Sequence, residues 1–286
     1  MTFQINQSSA HLAQPEKEQQ EIAGLVYALG KIDYDIPGES RRNSLATNLK
    51  DPKDPKAFLA HLNENPHDAE SVVWVLKQED TPIYAIHPQG PFARETYERL
   101  RNFLAEHQRE DVDMVSIPGY LMQDSISLGN RQDVPVIIPE LRGMYSWNTP
   151  GLVRGLLGEC PTQEEEAQAY VEKTLEIKNF LDRIYYEIRN LGQTSAERAI
   201  NFAATNAYRL DDVYTATYKS GLKLDRIEVE PSPGGGPPLS DCWDVKLTFF
   251  HPTQRMEKSK ELFRFMIDVS DVVPYAMGKM RHWHQH

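Results

Sequence analysis

Apolar and polar positions alternate along several stretches in the first half of the chain. A run of apolar residues at 25–29 ends at Gly30, and the alternation then continues to Ile36, which predicts a half-buried strand. Two β-prone runs, 71–76 and 83–86, flank a turn-forming segment and predict a hairpin. Beyond residue 110 the same reasoning predicts three strands, separated by Pro-Gly and Asn-containing turns, at 112–117, 121–128 and 134–138.

Helical spacing is found between these strands. Pro55 precedes a short segment, 56–62, whose apolar residues share one helical face. Pro91 opens a second predicted helix that runs to about His107. Its predicted buried face consists of Phe92, Thr96, Leu100, Phe103 and Leu104.

The pattern changes in the second half of the chain. Thr162 can cap a long helix from Gln163 to about Leu191, and Thr194 with Glu197 predicts a capping box for a further helix to about Tyr208. Three alternating segments then predict strands at 225–230, 244–250 and 263–269. Apolar residues recur along the long helix at helical spacing, and we expect them to face a core. They are Tyr170, Val171, Leu175, Leu181, Ile184, Ile188 and Leu191.

These elements together predict an α+β fold, in which antiparallel sheets pack against helices. We expect two subdomains that meet near residue 140: a mixed one at 21–140, and one at 141–286 with two helices on an antiparallel sheet. Residues 1–20 are rich in Gln, Ser and Glu without a period, which predicts a disordered tail.

Composition narrows the range of partners. The 286 residues carry 31 Lys and Arg against 42 Asp and Glu, a formal net charge of −11, which disfavours a nucleic-acid partner. No apolar run approaches the length of a membrane helix, and the first residues lack the apolar centre of a signal peptide. With only Cys160 and Cys242 present, two free thiols are favoured over a disulfide. We therefore expect a cytoplasmic protein without a membrane partner.

The helix that follows Thr194 carries the first candidate binding site. Arg198 and Asn201 share one face with Thr205, and Asn206 lies nearby. Arg can bind a carboxylate through two hydrogen bonds, and the Asn amide can both donate and accept, so this face could bind a peptide. A structural polar network that ties the helix to neighbouring loops is an equal alternative.

A second candidate is the compact segment that contains Arg142, Tyr145 and Trp147. Arg, Tyr and Trp are the residues that most often dominate binding surfaces. The same residue types are also common in and around protein cores, and for Trp147 a core position is the better prediction.

The sequence patterns that would indicate a metal site or a catalytic nucleophile are weaker. His282, His284 and His286 alternate at the end of the chain, and such imidazoles can bind zinc or another transition metal. An ordered site would need a ligand from elsewhere, so we expect no cofactor and at most adventitious metal binding. No Gly-x-Ser-x-Gly elbow is present. The catalytic residues, if the protein is an enzyme, stay unknown.

Several segments carry a resemblance to a known family. They include Arg142-Gly143-Met144-Tyr145-Ser146-Trp147, and they follow the family order at 26–32, 82–86, 90–93, 142–147, 189–195, 198–206, 241–247 and 267–271. The chain resembles the accessory domain of unknown function at the C-terminal end of PatG-type and PatA-type cyanobactin maturation proteases. The resemblance covers nearly the whole chain from about residue 24. It implies an accessory role in the biosynthesis of ribosomally made, post-translationally modified peptides.

The resemblance does not extend to the protease of that family. The chain has no Gly-Thr-Ser-x-Ala and no Asp-Thr-Gly segment, so we expect no subtilisin-type activity. Three functions follow. The favoured one is a module that binds the precursor peptide or partner maturation enzymes. The alternatives are a peptide-tailoring enzyme of unrecognised chemistry, of which a metal-dependent enzyme is one version, and an oligomeric scaffold, in which the protein pairs with copies of itself.

Overall fold

The computed structural model describes a large part of the chain, as a series of ranges separated by gaps. The described residues are 22–38, 49, 51, 53–109, 112, 114–148, 151, 153–154, 157–163, 166–168, 170–175, 178–179, 189–205, 213, 222–235, 237–238, 240–251 and 259–285. The predicted tail at 1–20 lies outside them. Within the described residues, no helix is long and apolar enough to cross a membrane.

Ten strands dominate the described elements. They are β1 (Ile22–Asp35), β2 (Val73–Gln78), β3 (Thr81–Ile86), β4 (Met114–Ser127), β5 (Asp133–Pro139), β6 (Tyr145–Trp147), β7 (Lys223–Pro231), β8 (Cys242–Phe250), β9 (Lys260–Asp268) and β10 (Tyr275–Gln285). The helices are α1 (Pro55–Glu64), α2 (Ala93–Gln108) and α3 (Ser195–Thr205), and short 3₁₀ turns occupy Pro66–Glu70 and Leu141–Gly143.

The first six strands form one sheet in the order β1-β2-β3-β5-β4-β6, and β1 also pairs with β4. This additional pairing closes five of the strands into a barrel. β1 pairs with both of its neighbours through different residues: residues 31–35 pair with β2, and residues 22–30 pair with β4. All pairs are antiparallel except β3 with β5, which run parallel.

The predicted fold class is therefore wrong. The described chain is mostly β, with a closed five-stranded barrel and a separate antiparallel sheet, and it is not an α+β fold of sheets with packed helices. The error has a physical origin, because alternation reveals that a segment is a strand but not which strand pairs with it. Closure depends on such pairings between segments that are distant in sequence.

One predicted turn is also absent. Pro118 and Gly119 were expected to separate two strands, yet both lie inside the 14-residue strand β4. A Cβ atom at Gly119 would lie 2.3 Å from the Ile138 carbonyl oxygen. The glycine is therefore required here for the close approach of β5, and not for a turn.

The core of the barrel combines side chains from all five strands with α1 and α2. Trp74 and Tyr84 are fully buried, as are Phe58 of α1 and Leu100 of α2. The predicted buried face of α2 is confirmed at Thr96, Leu100, Phe103 and Leu104. Phe92 was predicted on that face but is 62% exposed, because it lies at the N-cap, before the first helical turn.

β7 to β10 form the second sheet in the order β10-β9-β8-β7, and all of its pairs are antiparallel. One face packs on α3 and on the outer side of β1, where Tyr27 and Leu29 join Val245, Phe263 and Phe265 in a shared apolar core. β10 was not predicted, because the last residues of a chain are usually frayed. The division into subdomains near residue 140 stays a prediction.

The long helix predicted from Gln163 to Leu191 is described only in part. Residues 166–168, 170–175 and 178–179 are helical, whereas residues 189 and 190 are not. Tyr170 packs against the second core as predicted. Val171, Leu175 and Leu191 are exposed by 54%, 54% and 43%, so their predicted core positions are wrong. Leu181, Ile184 and Ile188 lie outside the described residues.

Candidate functional site

The predicted polar face of α3 lies at the junction between the barrel and the second sheet. Asn201 is 1% exposed. Its Nδ2 donates to the carbonyl oxygen of Tyr27, at 2.8 Å, and to Oδ1 of Asn190, at 2.9 Å. Asn190 returns the bond by donating its Nδ2 to Oδ1 of Asn201, at 2.9 Å. Both donors of the Asn201 amide and its oxygen are thus engaged by groups of the chain itself.

The loop that precedes α3 runs beside β1, along the edge of residues 22–30 that faces away from β4. The Tyr27 amide donates to the Gly192 carbonyl at 2.9 Å, and the Gly192 amide donates to Asn190 Oδ1 at 2.8 Å. Gly192 has a positive φ of 72°, and a Cβ atom there would lie 2.1 Å from the Tyr27 carbonyl oxygen. Both the dihedral and the close approach require glycine at this position.

Side chains of the barrel complete the attachment of this loop. The Tyr84 hydroxyl donates to the Leu191 carbonyl and accepts from Gln193 Nε2, each at 2.8 Å. Gln78 Nε2 donates to the Asn190 carbonyl at 2.5 Å. Burial raises the pKa of Tyr84 to about 12, with a smaller upward effect of Glu197 and an opposing one of the Gln193 hydrogen bond.

Arg198 lies on the same face of α3 and is 5% exposed. Its Nη2 donates to the carbonyl of Asp271, in the loop between β9 and β10. Burial lowers the pKa of the guanidinium, and the nearby Asp241 and Asp271 oppose this shift. Its Nε is buried without a hydrogen-bond partner in the described part of the chain.

The structure therefore places Arg198 and Asn201 in a polar network between the two sheets, together with Thr205, whose hydroxyl lies 3.1 Å from that of Tyr27. This is the structural alternative that the sequence left open. Asn206 lies outside the described residues. A role of these residues in binding a peptide stays a prediction. The predicted capping box is confirmed, since Glu197 accepts from the Thr194 amide, and Thr194 Oγ1 accepts from that of Glu197.

The second predicted set begins in the 3₁₀ turn, which contains Arg142, and continues into β6, which contains Tyr145 and Trp147. The Tyr145 and Trp147 rings are 6.5 Å apart in an edge-to-face arrangement, and Tyr145 is 52% exposed. The Arg142 side chain is 76% exposed and forms an ion pair with Glu140 at 2.9 Å. Trp147 is half-buried, and its Nε1 is buried without a hydrogen-bond partner among the described residues. We call these three residues the aromatic patch.

The aromatic patch is supported by β4 of the barrel and by the loop between β9 and β10. The Tyr145 amide donates to Ser116 Oγ, which in turn donates to the Gly143 carbonyl, both at 3.3 Å. A Cβ atom at Gly143 would lie 2.8 Å from Val273 of the loop between β9 and β10. The patch therefore rests on a tightly packed junction and not on an isolated loop.

The C-terminal histidines lie in an ordered strand. His282 and His284 belong to β10, and Glu261 of the neighbouring β9 brings its carboxylate to them. Their ligand atoms all lie within 4.8 Å of one another. His286 lies outside the described residues. The contribution of Glu261 was missed, because only the register between β9 and β10 places it opposite His284.

The two cysteines and Asp268 also have defined positions in the structure. Cys242 is buried at the start of β8, Cys160 is exposed, and the two do not form a disulfide. Asp268 is 1% exposed. Burial alone would raise its pKa, but hydrogen bonds from Ser270 and Tyr275 outweigh that effect and keep the pKa below its ordinary value.

Comparisons with known proteins match both halves of the chain. A family model described as PatG Domain matches residues 25–123, and one described as PatG C-terminal matches residues 165–283. A solved structure described as the PatG Domain of Unknown Function is 37% identical, with a TM-score of 0.81. The match covers 91% of this chain and 99% of that one. A search of curated proteins found no match.

Proposed function

Because this chain belongs to the family of the PatG domain of unknown function, we propose that it is an accessory protein of cyanobactin-type peptide biosynthesis. Its role is to bind the precursor peptide, and the aromatic patch is the surface that does so. The family match supports the pathway. The peptide and the surface are inferred from the geometry of the described residues.

The observation that carries the proposal is the position of Tyr145 in β6. This strand ends the order of the six-stranded sheet and, in the described part of the chain, pairs only with β4. A strand with an unpaired edge offers backbone donors and acceptors to an extended peptide, which can add as a further strand. Alternate side chains of such a peptide would then lie over Tyr145 and Trp147.

The side chains of the aromatic patch suit this mode of binding. An exposed tyrosine ring offers apolar contact area and loses little conformational entropy when it is covered. Arg142 can bind a carboxylate of the peptide through two hydrogen bonds. The Arg142 side of its present ion pair with Glu140 is open to solvent, which screens the attraction, so an incoming carboxylate can compete with Glu140.

The test is a calorimetric titration of a cognate precursor peptide into the protein and its variants. We expect Tyr145→Ala to weaken binding at least about tenfold, the usual consequence of truncating a central aromatic residue. Phe92→Ala is the matched control, because Phe92 is an exposed aromatic of the barrel outside the patch. It should bind like the parent protein. Equal affinity of the two variants would contradict the assignment of the surface.

Mass spectrometry of the precursor after incubation separates binding from chemistry. Under the proposal the peptide mass does not change and the peptide co-purifies with the protein. A mass change would instead identify an enzyme, and its size would indicate the reaction. If the peptide neither binds nor changes while a maturation enzyme co-purifies, the patch would belong to a protein partner and the proposed ligand would be wrong.

A further inference from the structure

His282 and His284 are separated by one residue in β10, so both imidazoles project from the same face of the sheet. In the register of the antiparallel pair, His282 lies opposite Phe263 and His284 lies opposite Glu261. Phe263 and Glu261 are likewise two residues apart in β9. One face of this strand pair therefore carries two imidazoles and a carboxylate within a single patch.

The distances between the donor atoms of Glu261, His282 and His284 are close to those found around a single bound metal ion. Nε2 of His282 lies 3.1 Å from Oε2 of Glu261, and the two imidazole centroids are 5.3 Å apart. Two donor atoms bound to one tetrahedral zinc ion at about 2.0–2.1 Å lie roughly 3.3 Å from each other. Because all three donors already lie within 4.8 Å of one another, small side-chain rotations are sufficient to bring them onto one ion.

Buried neighbours hold two of the three side chains in position. The His282 ring stacks on Phe263 with a centroid distance of 4.4 Å and an interplanar angle of 2°. Phe263 is 1% exposed and is fixed in turn by an edge-to-face contact with Phe249. The Glu261 side chain is only 12% exposed. The patch thus lies at the rim of the second core, where water competes less for an ion than on an open surface.

Three cationic residues of the same strands, Lys260, Arg264 and Arg281, fall on the other face. Arg281 pairs with Arg264, and Gln285 pairs with Lys260, at register positions that alternate with those of the patch. Pleating directs the side chains of Arg281, Arg264 and Lys260 away from the two imidazoles. The Lys260 ammonium is also neutralised by Asp225 at 2.7 Å. Hence no positive charge from these positions opposes a cation beside Glu261.

We propose that Glu261, His282 and His284 bind a divalent transition metal ion, with Zn²⁺ as the representative. Two neutral imidazoles and one carboxylate form a donor set that suits zinc and related ions. Three protein ligands leave at least one coordination position for water or for a donor from outside the patch. This inference is independent of the proposed peptide binding and concerns a different sheet.

The first experiment is a calorimetric titration of the metal-free full chain with Zn²⁺ alone. We expect one site, and an increase of the melting temperature when Zn²⁺ is added, because binding to the folded state stabilises it. Glu261→Gln and His284→Asn should each weaken binding about tenfold or more. His87→Asn, which changes an exposed histidine of the barrel segment, should leave the affinity unchanged.

Cobalt provides a second readout that does not depend on affinity. Co²⁺ should give visible absorption bands typical of a low-coordinate site in the parent protein and in His87→Asn, but not in His284→Asn. If Glu261→Gln binds as well as the parent while His284→Asn does not, the ion is held by histidines alone and the three-ligand site is overturned. If neither variant loses affinity, the metal is bound elsewhere and the proposal fails. Circular dichroism of each variant verifies that it is folded.

Discussion

Gly192 is the residue at which the loop before α3 comes closest to the barrel. Its φ of 72° lies in the left-handed region, and the Tyr27 carbonyl oxygen occupies the space that a side chain would need. These are two separate requirements, and other glycines of the chain satisfy only the first. Gly158 has a φ of 79° with no atom within 4 Å of a Cβ position, which makes it a natural reference.

We expect Gly192→Ala to destabilise the protein much more than Gly158→Ala. The reference substitution forces a non-glycine residue into the left-handed region, which costs about 1–2 kcal/mol. Gly192→Ala adds a clash with backbone that must move, and should cost roughly 2 kcal/mol more. Urea denaturation of both variants measures the difference. Equal losses would show that the loop can move away from β1 without disrupting its hydrogen bonds.

Tyr84 makes the same junction sensitive to alkaline pH. Burial raises its pKa from 10.0 to about 12, so the folded state keeps a proton that the unfolded state loses. The contribution of the neutral hydroxyl to stability is therefore complete below pH 10, and it is lost as the pH rises from 10 through 12. Two pKa units correspond to at most about 2–3 kcal/mol of stability.

Removing the hydroxyl should remove this pH dependence. At pH 8 Tyr84→Phe should lower the free energy of unfolding by about 1–2 kcal/mol, because Leu191 and Gln193 lose a partner. Between pH 10 and pH 12, however, its stability should fall less steeply than that of the parent protein. Urea denaturation at pH 8, 10 and 11 makes the comparison. Parallel curves would mean that Tyr84 ionises equally in both states.

Among the secondary structure elements, the helices, the hairpin and the strands β7, β8 and β9 follow from local sequence, whereas the continuity of β4 and the presence of β10 do not. α1, α2, the hairpin of β2 and β3, and the start of α3 agree with prediction, because caps, turns and helical spacing are local signals. β4 was divided at Pro118-Gly119, since these two residues usually form a turn. There the approach of β5 overrides the local preference.

The candidate sites show the same difference between local signals and contacts that are distant in sequence. The aromatic patch is contiguous in sequence: the rings of Tyr145 and Trp147 contact each other, and Arg142 is exposed in the turn that precedes them. Burial of Arg198 and Asn201 could not be predicted, because a polar helix face becomes interior only when loops from two sheets cover it. The contribution of Glu261 depends on the register between β9 and β10, and no local pattern contains that register.

For the molecule as a whole, α3 connects the two sheets. Its Asn201 is bonded to β1 of the barrel, while its Arg198 is bonded to the loop between β9 and β10 of the second sheet. Tyr27 and Leu29 of the barrel share one apolar core with strands β8 and β9. Separation of the sheets would expose this core and leave buried polar groups unpaired, at a high cost in free energy.

We therefore expect the two sheets to unfold in one cooperative transition. In native-state hydrogen exchange, the slowest amides of β2 and of β9 should report the same opening free energy. Asn201→Ala should lower both values equally, by about 2–4 kcal/mol, because it leaves Asn190 and the Tyr27 carbonyl without their partner. Asn63→Ala, at an exposed position of α1, is the control and should change neither. If Asn201→Ala lowers the value for β9 alone, the barrel holds its fold without the second sheet, and the contact between them is a docking interface and not part of one folding unit.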